Sequence, residues 1–160
     1  MYEERLLKQG GITVEIHLVG LGKIGLNIAI NLLEKGHLVK AFDQNVAVAK
    51  TLEEKGGLFF PSLETLLART ESNDTEVKIV WLMLPAGEIT KMVMNDCLRL
   101  LKVGDILIDG GNSKYSESKK HNAAFTAKEI TFFDVGTSGG VSGARHGACM
   151  MSGGNREVFQ

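Results

Sequence analysis

Gly20, Gly22 and Gly25 stand where a β-rich run, residues 13–19 (TVEIHLV), gives way to an amphipathic stretch. Behind them Leu26, Ala29, Ile30 and Leu33 fall at i, i+3, i+4 and i+7, one face of a helix. Gly36 sits where that helix needs a C-terminal cap. Residues 38–42 (LVKAF) then make a second β-rich run, closed by Asp43. A strand, a glycine turn, a helix and a second strand within about 30 residues describe a βαβ unit, and a βαβ unit demands a parallel pair.

The same alternation continues. Asn45 is placed to cap a helix running to about Lys55, with Gly56 after it, and residues 58–60 read as a short strand. Ser62 caps a helix bearing Leu63, Leu66 and Leu67. Residues 78–84 (KIVWLML) form the most apolar run, as expected of a central strand covered on both faces, with Trp81 in the core. Ile89, Met92, Val93, Cys97, Leu100 and Leu101 predict the apolar face of the next helix. Residues 106–109 and 130–134 read as further strands, separated by a polar helix over 113–128. Residues 149–151 read as a last short strand, and Asn155 as the cap of a final helix. The expected fold is α/β: a Rossmann-type, doubly wound, mostly parallel sheet with helices on both faces.

Composition removes other classes. The formal net charge is −1, which offers no general attraction to nucleic acid or an anionic membrane. The longest dense apolar run, residues 79–84, is far short of the roughly 20 residues of a membrane-spanning helix. Two cysteines, Cys97 and Cys149, make no disulfide scaffold, so a reducing cytoplasm is the expected compartment. His17, His37, His121 and His146 lack metal-ligand spacing, and no metal site is expected.

A lone GxGxxG is weak in a chain with 19 glycines, and a turn without a nucleotide gives the same letters. Its position after a strand, with Asp43 21 places beyond Gly22, favours the dinucleotide reading. Gly20 then allows the tight turn, Gly22 admits the pyrophosphate, and Gly25 lets the helix pack on the strands. Free N–H groups at the helix start face the phosphates. Asp43 suits a ribose with free hydroxyls and repels a 2′-phosphate. At about 4 Å and an effective dielectric near 20, each charge pair is worth about 4 kcal/mol before solvent relaxation. Gln44 and Asn45 supply no offsetting cation, so NAD is expected over NADP. The alternative for Asp43 is a cap on the following helix, a role that could coexist with ribose binding.

Two further glycine turns follow strands. In DGGNS (residues 109–113), Asn112 can donate to and accept from a hydroxyl or an amide. A plain turn with Ser113 as cap fits the spacing as well. In SGG, the hydroxyl of Ser138 and the backbone of Gly139 and Gly140 suit a carboxylate or polyol. A simple loop fits equally.

GLGKIG, VWLMLPAGEIT, IDGGNS, DVGTSGG and GARHGACMMSGG occur in an order and spacing that resemble the coenzyme domain of 6-phosphogluconate dehydrogenases, over about residues 12–158. The resemblance implies NAD(P)-dependent oxidation and decarboxylation of 6-phosphogluconate to ribulose 5-phosphate, a step of the pentose phosphate pathway. It assigns the pyrophosphate to Gly20, Leu21, Gly22, Lys23, Ile24 and Gly25, and the adenosine ribose to Asp43, Gln44 and Asn45. It sets Leu84, Pro85 and Ala86 beside the cofactor. Asn112 would touch nicotinamide and substrate, and Ser138, Gly139 and Gly140 would bind the sugar acid.

NADP-dependent members of that family carry Asn-Arg where Asp43 and Gln44 stand, and others carry lysine in place of Pro85; both departures agree with NAD. The family's lysine base and glutamate acid would lie beyond residue 160, in a helical domain that also makes most subunit contacts. The expectation is an N-terminal extension over residues 1–11, an NAD-binding domain over 12–160, no catalytic residue in this chain, and a homo-oligomeric whole protein. The alternatives are another β-hydroxyacid dehydrogenase, of the 3-hydroxyisobutyrate or tartronate semialdehyde type, and a non-catalytic NAD-sensing module.

Overall fold

The computed structural model describes residues 12–71 and 74–159; the extension expected over residues 1–11 lies outside them. β1 (Glu15–Val19) leads through α1 (Lys23–Glu34) to β2 (Leu38–Phe42), α2 (Val48–Glu54), β3 (Leu58–Phe59) and α3 (Leu63–Leu67). The chain continues through β4 (Ile79–Leu82), α4 (Glu88–Leu100), β5 (Ile106–Asp109), α5 (Tyr115–Thr126) and β6 (Thr131–Ser138). It ends with α6 (Gly140–His146), β7 (Cys149–Gly154) and α7 (Arg156–Phe159). The seven strands form one sheet in the order β3-β2-β1-β4-β5-β6-β7. β1 to β6 are parallel, and only β7 runs antiparallel, against β6. Strand order therefore reverses between β1 and β4. The doubly wound expectation holds.

Alternation along each strand splits the core in two. Val19, Val80, Leu82 and Leu107 point to one face, packed by Leu66 of α3, Met94 and Cys97 of α4, and Phe125 of α5. Leu18, Val39, Ala41 and Trp81 point to the other, packed by Ile28 of α1, Leu52 of α2 and Ala144 of α6. Each such buried Leu or Met contributes about 1.5–3 kcal/mol.

Local details differ from the sequence reading where tertiary contacts decide. In α4 the buried residues are Thr90, Met94 and Cys97, followed by Leu101, while Ile89 and Met92 are exposed. The Thr90 hydroxyl donates to the Pro85 carbonyl at 2.7 Å, which sets the rotation of the helix about its axis. Asn45 does not cap α2: its Oδ1 accepts from Ala47 N–H at 3.1 Å, one turn before the helix, and Ala47 holds the cap position. α5 begins at Tyr115 after Lys114, so Ser113 is not its cap either. β6 runs to Ser138 because β7 pairs with it from Phe133 onward, and α6 is a helix where the sequence suggested loop.

The amino edge of the sheet holds a buried ion pair. Arg69 Nη2 donates to both oxygens of Asp105, at 2.6 and 2.5 Å, and Asp105 also accepts from the backbone N–H groups of Lys78 and Lys102. This ties the loop after α3 to the start of β5.

His17 is buried in β1, opposite Lys40 of β2 and Val80 of β4. Burial is the main cause that lowers its pKa to about 4; the nearby Lys78 ammonium adds to the effect and Glu15 opposes it. The unfolded chain takes up this proton near pH 6.5, the native one only near 4, so stability falls as pH drops through that window. Denaturant midpoints measured from pH 7 to pH 4 are expected to fall, and His17→Leu to flatten the profile by an amount on the order of 2–3 kcal/mol.

Candidate dinucleotide site

The parallel strands all end at one edge of the sheet, and every residue singled out from the sequence as a site residue lies along it. Gly20 follows β1, Asp43 follows β2, Leu84, Pro85 and Ala86 follow β4, Asn112 follows β5, and Ser138 closes β6. The edge is centred on the crevice where strand order reverses, between β1 and β4.

The glycine turn is built by contact. Gly20 has φ +96°, its N–H donates to the Phe42 carbonyl at 3.0 Å, and a Cβ there would stand 2.4 Å from the Met83 carbonyl oxygen. A Cβ on Gly25 would stand 2.0 Å from the Gly20 carbonyl oxygen. Gly25 is closed to a side chain because α1 lies directly on the turn, and Gly20 because the turn rests on the chain after β4. Gly22 is different. It caps α1 with no side-chain hydrogen bond, no acidic residue occupies the first turn, and a Cβ on it would meet nothing within 4 Å. The start of the helix therefore presents backbone N–H groups and its positive dipole end to open space. Leu21 is buried beneath the turn, Ile24 packs on the same core, and Lys23 is exposed beside the helix start.

Asp43 is not a helix cap. Its Oδ2 accepts from Leu21 N–H at 2.6 Å, and its Oδ1 from Asn45 N–H at 2.7 Å. The carboxylate thus clasps the glycine turn to the end of β2. Each oxygen keeps further acceptor capacity, and Asp43 is half-buried beside exposed Gln44 and Asn45.

A second carboxylate does the same for the DGGNS turn. Buried Asp109 accepts from Gly111 N–H at 3.0 Å and from Ser113 Oγ at 2.7 Å. The turn presses against the β4 segment: a Cβ on Gly110 would meet Trp81 Nε1 at 2.4 Å, and one on Gly111 the Leu84 carbonyl oxygen at 2.6 Å. Asn112 is left exposed at the rim. The sequence reading gave Asp109 no task; its signal was an acidic residue at a strand end with a hydroxyl residue four places on. At β6, Ser138 is exposed, and Gly139 and Gly140 have φ of +116° and +60°, which turn the chain at once into α6.

This strand order, with a glycine turn at the reversal and an acid at the end of β2, defines a dinucleotide-binding domain of the kind dehydrogenases use. A family model described as the NAD binding domain of 6-phosphogluconate dehydrogenase matches residues 15–160, and the chain belongs to that family. The decarboxylating 6-phosphogluconate dehydrogenase of Aggregatibacter actinomycetemcomitans is 37% identical over 153 residues, 91% of this chain and 30% of that protein. A 3-hydroxyisobutyrate dehydrogenase of Mycobacterium tuberculosis, solved with L-serine, superposes with a TM-score of 0.81 at 26% identity, over 92% of this chain and 49% of that one. The 6-phosphogluconate dehydrogenase of Plasmodium falciparum, solved apo, with NADP+ and with 6-phosphogluconate, superposes with a TM-score of 0.80 at 26% identity, over 91% and 32%. The chain spans 30% to 48% of the length of curated relatives that it matches.

The three glycine and aspartate contacts separate on denaturation. Gly25→Ala drives a methyl into the Gly20 carbonyl and is expected to cost about 3 kcal/mol or more, if the variant folds at all. Gly22→Ala is expected to stay within about 1 kcal/mol, the ordinary cost of alanine at a helix cap. Asp43→Ala frees the N–H groups of Leu21 and Asn45 and is expected to cost about 1–3 kcal/mol, with Asp43→Asn between it and the unaltered chain in urea unfolding.

Proposed function

We propose that the chain is the coenzyme domain of an NAD-dependent, decarboxylating 6-phosphogluconate dehydrogenase, acting on 6-phospho-D-gluconate. Placement of Asp43 is the observation that carries the cofactor assignment. Its carboxylate, at the end of β2 with further acceptor capacity on each oxygen, suits the two hydroxyls of an adenosine ribose, and its sequence neighbours Gln44 and Asn45 carry no positive charge for a 2′-phosphate.

The nicotinamide, when bound, supplies the hydride acceptor. The chain's own residues bind and orient. N–H groups at the start of α1 face the pyrophosphate across Gly22, and the exposed ammonium of Lys23 adds a charge at its edge. Leu84, Pro85 and Ala86 exclude water from one side of the cofactor. Asn112 uses the donor and acceptor of its amide to register nicotinamide against a substrate hydroxyl. Ser138, Gly139 and Gly140 hold the sugar acid. None of these residues is given the proton transfer, which the family resemblance assigns to a lysine and a glutamate. The reading carries with it a cytoplasmic, homo-oligomeric whole protein.

A second reading, the coenzyme domain of a 3-hydroxyisobutyrate-type dehydrogenase, is supported by the equally good superposition on the mycobacterial enzyme. DGGNS favours the first, because the resemblance ties that segment to the 6-phosphogluconate enzymes.

Calorimetric titration with NAD and with NADP tests the cofactor assignment. NAD is expected to bind at least about tenfold more tightly, a difference of 1.4 kcal/mol. Asp43→Ala is expected to erase the preference, and Gly22→Ala to abolish binding while the fold survives. Tighter binding of NADP by the unaltered chain would contradict the role given to Asp43.

A further inference from the structure

The Arg145 side chain reaches from α6 to the last residue of α1. Its Nη1 donates to Glu34 Oε2 at 2.5 Å, and Nη2 donates to the other oxygen of the same carboxylate. Beside this fork, Asn31 Nδ2 donates to the Ala144 carbonyl at 3.4 Å, and the Ala144 side chain is buried on the core face that α1 covers. α6 has seven residues, too few to hold a helix by itself. Its place is set by α1. At its other end, α6 begins at the Gly139-Gly140 turn.

We propose that Arg145 is a positioning residue: through Glu34 it fixes α6 and the turn at residues 138–140 to α1, so that a dinucleotide bound at the start of α1 also steadies that turn. The proposal rests on the reading above, in which α1 receives the cofactor and residues 138–140 the sugar acid. α1 is one helix of 12 residues, about 18 Å long, and acts as a rigid link. Glu34 lies at the negative end of its dipole, where a carboxylate is unfavourable without a cation. Arg145 supplies the cation in a bidentate fork, the geometry that fixes orientation as well as distance. The pair holds the Glu34 carboxyl below its usual range and the Arg145 guanidinium above its own.

Amide hydrogen exchange of Gly143 and Gly147, whose N–H groups bond to the Gly139 and Gly143 carbonyls, reads the steadiness of α6. In the unaltered chain, saturating NAD is expected to slow these amides roughly two- to fivefold, the scale of a surface ion pair. Arg145→Met and Glu34→Gln are each expected to remove that response while leaving NAD affinity unchanged. The double exchange Glu34→Arg with Arg145→Glu is expected to restore it. Glu34→Gln changes no residue of α6, so it separates loss of the fork from a change in the helix-forming tendency of α6's own sequence. A pair that only adds stability would speed exchange equally with and without NAD; that result, or a response of the same size in every variant, or none in any, overturns the proposal alone. Failure of the unaltered chain to bind NAD overturns the cofactor reading and the proposal with it.

Discussion

A methyl group on Gly25 would stand 2.0 Å from the carbonyl oxygen of Gly20. That contact lets α1 sit directly on the turn that precedes it, and much else follows from the closeness. The turn in turn rests on the Met83 carbonyl, so the chain after β1 approaches the chain after β4 closely. Gly22, one turn position away, faces open space, and the difference between these glycines separates packing from reception.

Two carboxylates hold the edge of the sheet in shape. Asp43 draws Leu21 N–H toward β2, and Asp109 draws Gly111 and Ser113 into a compact turn after β5. Each is fixed by backbone or hydroxyl donors, and each leaves a neighbouring polar group at the rim. The device is local and repeated: an acid at a strand end organises the loop that a ligand would meet. At the opposite edge the Arg69–Asp105 pair does a structural task of the same kind, tying a loop to β5. A charged group that accepts several hydrogen bonds is costly to leave unpaired, so each of these acids restricts its loop to one arrangement.

The sequence exposes what contiguous residues decide. GLGKIG and the apolar positions behind it lie in one short segment, and the strand, turn and helix read from them are those observed. β2 and β5 are found at the expected residues for the same reason. What depends on distant partners is hidden. The apolar positions of α4 predicted Ile89 and Met92 as buried along with Cys97, but the Thr90 hydroxyl, anchored on Pro85, rotates the helix so that Met94 joins Cys97 against the sheet while Ile89 and Met92 stay exposed. β6 extends through Gly136 only because β7 returns to pair with it, and α6 exists only against α1. The tasks of Asp43 and Asp109 are similarly three-dimensional. The sequence marks Asp43 as a ribose partner or a cap; in the structure one oxygen accepts from the glycine turn at Leu21 and the other from Asn45.

The backbone amide spectrum of the chain, followed during addition of NAD, tests the central claim most directly, because it reports where the ligand sits. The amides of residues 20–25, 43–45, 84, 86 and 112 are expected to carry the largest shifts, all at the carboxyl edge of the sheet. Largest shifts at the amino edge, around Arg69, Lys78 and Asp105, or a spectrum unchanged at saturating NAD, would contradict the account.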